Sequence, residues 1–157
     1  MKKLVGSMMT FATLGMMVIN GSTAQADTTK VEYSVEGEYT LVIPQTVSLL
    51  QNSTTEMSIK TVNRNLEPDQ EVEISITDGL SGDGEIKLQR TGSDSDVLTS
   101  SIKSKNNLVT IANPVVGSFT GYVMAETEVT KIEFGIPQGD LLAGSYSTTL
   151  TFGASYK

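Results

Sequence analysis

The segment Glu71-Val72-Glu73-Ile74-Ser75-Ile76-Thr77 constrains the fold of this chain more than any other. Apolar side chains fall on every second residue, with charged or hydroxyl-bearing ones between them. That is the period of a strand with one face on a core and one in water. A helix would scatter Val72, Ile74 and Ile76 around its circumference. The same period recurs along the chain. Tyr39-Thr40-Leu41-Val42-Ile43 is a strand ended by Pro44, and Val31 to Val35 reads as a short strand before it. Glu56 to Val62 alternates, and Leu66-Glu67-Pro68-Asp69 is a turn. Glu85 to Arg90 is bounded by the turn signals Asp78-Gly79 and Gly82-Asp83-Gly84 on one side and Thr91 to Asp96 on the other. Val97 to Lys103, Leu108 to Ala112, Gly117 to Met124 and Glu128 to Ile136 follow. A slip in the alternation between Val129 and Ile132 marks a bulge. In the last strand, Tyr146, Thr148, Leu150 and Phe152 share one face if no bulge intervenes.

The count is about eight or nine short strands, with turn signals every ~8–12 residues. No segment carries a sustained helical stripe. The expected fold is all-β, an antiparallel β-sandwich of immunoglobulin-like shape, with a small β-barrel as the alternative. The immunoglobulin disulfide and core tryptophan are missing, because the chain has no Cys and no Trp.

The first 26 residues read as a cleavable signal peptide rather than part of that fold. Lys2 and Lys3 form the basic start, Leu4 to Ile19 is uncharged and largely apolar, and Ala24-Gln25-Ala26 places small residues where a signal peptidase reads. Cleavage is expected before Asp27, leaving a single domain from 27 to 157. A membrane anchor would need ~20 predominantly apolar residues, and this run is shorter and interrupted by Gly6, Ser7, Thr10, Thr13 and Gly15. After the cut, neither a lipid-accepting cysteine, a sortase-type tail nor a second apolar span is expected.

Removing Lys2 and Lys3 leaves nine basic residues against 18 acidic ones, a net charge of −9. Such a chain repels nucleic acid and anionic lipid, so neither is an expected partner. It is expected in the extracellular space, secreted or held non-covalently at the cell wall.

Tyr39-Thr40-Leu41-Val42-Ile43-Pro44-Gln45-Thr46-Val47 resembles the opening strand of small secreted surface proteins of low-GC Gram-positive bacteria. Ala143-Gly144-Ser145-Tyr146-Ser147-Thr148-Thr149-Leu150-Thr151-Phe152 resembles their closing strand, and WxL-domain cell-surface proteins end in a similar way. Phe152 stands where that family's closing strand often has Trp, and the Trp-x-Leu motifs are lacking. The resemblance implies a secreted or surface-associated protein with an adhesive or structural role.

Residue types restrict the chemistry further. Without His or Cys, a Ser-His or Cys-His nucleophile and a His- or Cys-ligated metal are excluded. A Ser-Lys dyad or a carboxylate pair stays open as an atypical hydrolase, although the acids mostly alternate along wet strand faces. Asp78, Asp83, Glu85, Asp94 and Asp96 form the calcium candidate, being hard oxygen ligands on Gly-rich loops. The competing reading of the same residues is turn chemistry. No other cofactor is expected. Tyr33, Tyr39, Tyr122, Tyr146 and Tyr156 would serve a carbohydrate-binding module if several were exposed and coplanar. The favoured function is a non-enzymatic structural or adhesion protein. Its expected partners are other surface proteins, cell-wall components or copies of itself joined at strand edges.

Overall fold

The computed structural model describes residues 30–157, and within them the chain forms eleven strands. In chain order they are β1 (Glu38–Val42), β2 (Thr55–Asn65), β3 (Glu71–Asp78), β4 (Glu85–Arg90), β5 (Val97–Ser104), β6 (Asn107–Leu108), β7 (Val115–Thr120), β8 (Tyr122–Val123), β9 (Thr127–Phe134), β10 (Tyr146–Ser147) and β11 (Thr151–Tyr156). Val35–Lys157 is one compact unit. The residues up to Ser34 belong to a separate one, of which Lys30 to Ser34 are described and carry no strand.

All pairing is antiparallel and makes two sheets. The larger runs β1-β2-β9-β5-β4-β10, with β6 beside β5 and β8 beside β2; the smaller is β11-β3-β7. The larger path stays open, since β1 and β10 end it without pairing. The fold is therefore the expected immunoglobulin-like sandwich, with a larger sheet that wraps part-way round the core as a half-barrel.

The core lies between the sheets. In β3, Val72, Ile74 and Ile76 are buried as the alternation predicts; β2 adds Met57 and Ile59, β4 Ile86 and Leu88, β5 Leu98 and Ile102, and β9 Ile132 and Phe134. Burying one such side chain stabilises the fold by ~1.5–3 kcal/mol, so these positions explain why the strands stack.

The slip in β9 is a bulge. Ile59 faces Thr130 and Lys60 faces Glu128, which leaves Val129 as the extra residue. A second bulge sits in β7. Ile74 faces Gly117 and Ser75 faces Val115, so Val116 has no partner in the ladder. Its carbonyl accepts instead from the hydroxyls of Thr130 at 2.8 Å and of Ser104, both buried in the larger sheet. These two bonds tie the free edge of the small sheet to the face of the large one.

Three expectations are corrected. Val31 to Val35 is not a strand: Val31 and Tyr33 are 89% and 83% exposed. Of Leu108 to Ala112 only Leu108 is in a strand, the two-residue β6, formed where Lys105 and Asn106 both take positive φ in a tight hairpin turn. The last strand is two. β10 pairs with β4 in the large sheet, and β11 pairs with β3 in the small one. The chain crosses from one sheet to the other through Thr148, Thr149 and Leu150, so Tyr146 and Phe152 serve opposite layers.

Candidate functional site

That crossing leaves the core open at one end. Between it and the irregular stretch after β1 lies a cleft of about 840 Å³. Its floor is core: Met57, Leu88, Leu98 and Phe134, with Phe152 from the small sheet. One wall is Pro44 to Leu49, where Val47 and Leu49 are half-buried against the core. Pro44 starts this wall because it has no N–H to continue the β1 ladder. The other wall is Leu141 to Leu150, with Tyr146 and Leu150 half-buried.

Two properties distinguish the cleft. First, most of both walls is irregular chain without a ladder; within them only Tyr146 and Ser147 pair, with β4. Among the described residues, the backbones of Thr46 to Leu49 and of Thr148 to Leu150 make no hydrogen bond to other backbone. None of these residues is buried, so their unpaired N–H and C=O groups stand open to water and to an added strand. Second, Asp, Glu, Lys and Arg are all missing from the lining, although the chain carries 18 acidic residues. Its polar groups are those of Gln45, Thr46, Ser48, Gln51 and the Ser and Thr of residues 145–149.

The far wall is held by Arg90. Its guanidinium donates from Nη1 to Asp96 Oδ2 at 2.8 Å and from Nη2 to the Ala143 carbonyl at 2.6 Å. Thr91 N–H donates to the Ser145 carbonyl at 2.8 Å. Gly144 lies against Arg90 so closely that a Cβ there would meet Nε at 2.7 Å. The hydrogen bond from Arg90, aided by Ser93, holds the Asp96 carboxyl below the usual aspartate range. At the tip of the wall, Tyr146 Oη donates to the Leu142 carbonyl at 3.1 Å.

The calcium candidates do not converge. Asp78 accepts from Gly79 N–H at 2.8 Å, Asp94 from Gln89 Nε2 at 3.2 Å, and Asp96 is the partner of Arg90. Asp83 sits exposed in the turn before β4, and Glu85 is half-buried at its start. Among the described residues no three carboxylates gather in a metal-binding group. The expected cleavage residues Ala24, Ala26 and Asp27 lie outside the described residues.

The tyrosines are dispersed as well. Tyr39 packs edge-on against Phe119 at 5.2 Å and against Tyr156 at 6.1 Å, with interplanar angles of 72° and 77°. Burial, with the nearby Tyr156, raises the Tyr39 phenol above its ordinary value. Tyr33 and Tyr122 are exposed, and Tyr146 is the one tyrosine on the cleft.

Neither wall of the cleft was singled out as a site from the sequence. Both walls lie in charge-free stretches, 41 to 55 and 141 to 156, but 106 to 125 is equally charge-free and lies off the cleft, so the sequence held no signal specific to the walls.

No protein-family model matches the chain, and no curated protein matches it. Among solved structures, the crystal structure of the P pilus rod subunit PapA is similar with a TM-score of 0.49 at 12% identity, covering 74% of this chain and 99% of that one. A likeness of that size assigns neither family nor function.

Proposed function

We propose that this chain is a secreted, surface-associated, non-enzymatic protein whose cleft accepts an extended segment of polypeptide. The observation that carries this is the cleft itself: an apolar, uncharged floor between two walls whose backbones at Thr46 to Leu49 and Thr148 to Leu150 are unpaired. An added strand satisfies both requirements at once. Its backbone completes the ladders and its alternate side chains fill the floor. General acid-base chemistry needs titratable groups converging on a substrate, and this lining offers only the Tyr146 phenol. A carbohydrate module would use flat exposed aromatics, whereas the Tyr39, Phe119 and Tyr156 rings meet edge to face.

The adhesive or structural role, export through residues 1–26 and a WxL-like placement at a Gram-positive surface belong to the same reading. Cell fractionation and chemical cross-linking test it. The native chain is expected in high-molecular-weight cross-linked species at the cell surface. Leu49→Asp, which puts a charge on one cleft wall, is expected to abolish them, while Lys87→Glu on the wet face of β4 leaves them unchanged. A strictly monomeric protein in spent medium that binds no cells would sink the proposal.

A further inference from the structure

The residues just before β1 have the pattern that the cleft lacks. In Lys30-Val31-Glu32-Tyr33-Ser34-Val35-Glu36, apolar side chains alternate strictly with polar ones. This is a strand pattern, yet among the described residues the segment pairs with no strand, and Val31, Tyr33 and Val35 are 89%, 83% and 57% exposed. Three exposed apolar side chains on one face of extended chain are an unpartnered strand face. The same molecule therefore holds an unfilled strand position and an unplaced strand.

Chain geometry keeps residues 30–36 from seating together in their own cleft, because the residues next to β1 cannot reach it. Gly37 marks the start of β1, beside Asn65 and Gln70. The cleft begins at Pro44, past the other end of β1. Glu38 to Pro44 spans ~20 Å of strand, at ~3.3 Å per residue. Val35 lies only two residues before Gly37, within ~7 Å of it. The arm cannot turn back and put Val35 into its own cleft. A second copy imposes no such limit. Charge agrees: the chain is acidic overall, but Val31, Tyr33, Val35 and the cleft lining are all uncharged. With the apolar face down, Lys30, Glu32 and Glu36 stay in water.

Resting on the reading of the cleft as a strand acceptor, we infer that its occupant is residues 30–36 of a second copy of this chain. Each copy then gives an arm at one end and accepts one at the other. That contact is heterologous, and repetition of it builds an open chain of subunits unless the rotation happens to close a ring.

Cysteine cross-linking tests this, because the natural sequence contains no Cys. Full-length copies carrying Ser34→Cys, whose side chain lies on the outward face of the arm, are mixed with copies carrying Thr46→Cys or Ser48→Cys on the cleft wall. Neighbouring strands sit ~4.8 Å apart, within disulfide range. Mild oxidation is expected to give at least tenfold more mixed dimer than a pairing with Ile111→Cys, a position exposed and away from the cleft. Equal yields for cleft and control positions would overturn the inference. So would ring closure within single copies when Ser34→Cys and Ser48→Cys share one chain at high dilution.

A second measurement separates this inference from the reading beneath it. Tyr33→Asp alters only the exposed arm and leaves the core intact. It is expected to raise the concentration needed for self-assembly at least tenfold, as Leu49→Asp does. Mixing the two variants should restore dimers without longer chains, since only one intact arm and one intact cleft can meet. If Leu49→Asp abolishes assembly and Tyr33→Asp does not, the cleft takes another strand and the arm is the wrong occupant. If neither has an effect, both the arm and the cleft reading fall.

Discussion

Thr61 shows how much a single buried hydroxyl can weigh against the fold. It is 1% exposed in β2, and among the described residues its Oγ1 has no hydrogen-bond partner. Leaving a buried polar atom unpaired costs ~1–3 kcal/mol. Thr61→Val keeps the shape and the β-branch while removing that atom, so it is expected to stabilise the protein by ~1 kcal/mol. Thermal denaturation reads this as a rise in Tm. A clear fall would mean that an ordered water satisfies the hydroxyl. Asp96 behaves in the opposite sense. Arg90 depresses its folded pKa, so its contribution to stability is present in full above the unfolded value of about 3.9. That contribution is lost as the pH falls through the lower folded value. Arg90→Gln should make Tm less steep in pH below about pH 4. An NMR titration should also move the Asp96 carboxyl up toward the ordinary aspartate range, with Ser93 still holding it somewhat below. An unchanged Asp96 titration in the variant would refute Arg90 as the cause.

Elements are joined at positions where no side chain fits. Gly117 in β7 adjoins the bulge at Val116, and a Cβ there would meet Cβ and Cγ2 of Thr130 at 2.8 Å. Those are branch atoms of a buried residue whose hydroxyl holds the Val116 carbonyl, so they cannot retreat. Gly117→Ala is expected to destabilise the fold by ~1–3 kcal/mol through overpacking, read from the midpoint of a urea titration. An unchanged midpoint would mean that the two sheets can separate locally at this corner. The Val129 bulge was legible beforehand because a one-residue slip moves apolar side chains to the wrong face. The Val116 bulge was not, since Val115 and Val116 are both apolar and hide the slip. Strand existence was legible wherever one face is wet, as in β3 and β4. The division of the closing segment between two sheets was not. Alternation says which side chains point together and is silent on which neighbouring strand will pair. For the same reason Val31 to Val35 reads as a strand of the fold, although it pairs with no strand among the described residues. The cleft depends on this kind of information. Its walls are ordinary strand-like sequence, and even their missing charge is shared by 106 to 125, which lies off the cleft.

For the whole molecule, the uneven placement of charge predicts how copies respond to salt. The full chain carries −7, and apart from the half-buried Arg90–Asp96 pair the ion pairs of its compact unit lie on wet surface, among them Lys60 with Glu126 at 2.7 Å, Lys131 with Glu56 at 3.4 Å, and Lys157 with Glu73 at 3.0 Å. Exposed pairs of this kind contribute little and are weakened by salt. Between two copies the dominant electrostatic effect is mutual repulsion of like net charge. The apolar arm and the uncharged cleft have no ionic attraction for salt to screen. Raising the ionic strength from about 0.01 M to about 0.3 M shortens the Debye length from ~30 Å to below ~10 Å. Repulsion then fades while strand pairing and apolar contact persist. Self-association should strengthen several-fold over that range, measured by sedimentation velocity at fixed protein concentration. A junction built from Lys–Glu pairs between copies would respond the other way and weaken. The sign of the salt effect therefore distinguishes a strand seated in the cleft from a contact between charged sheet faces.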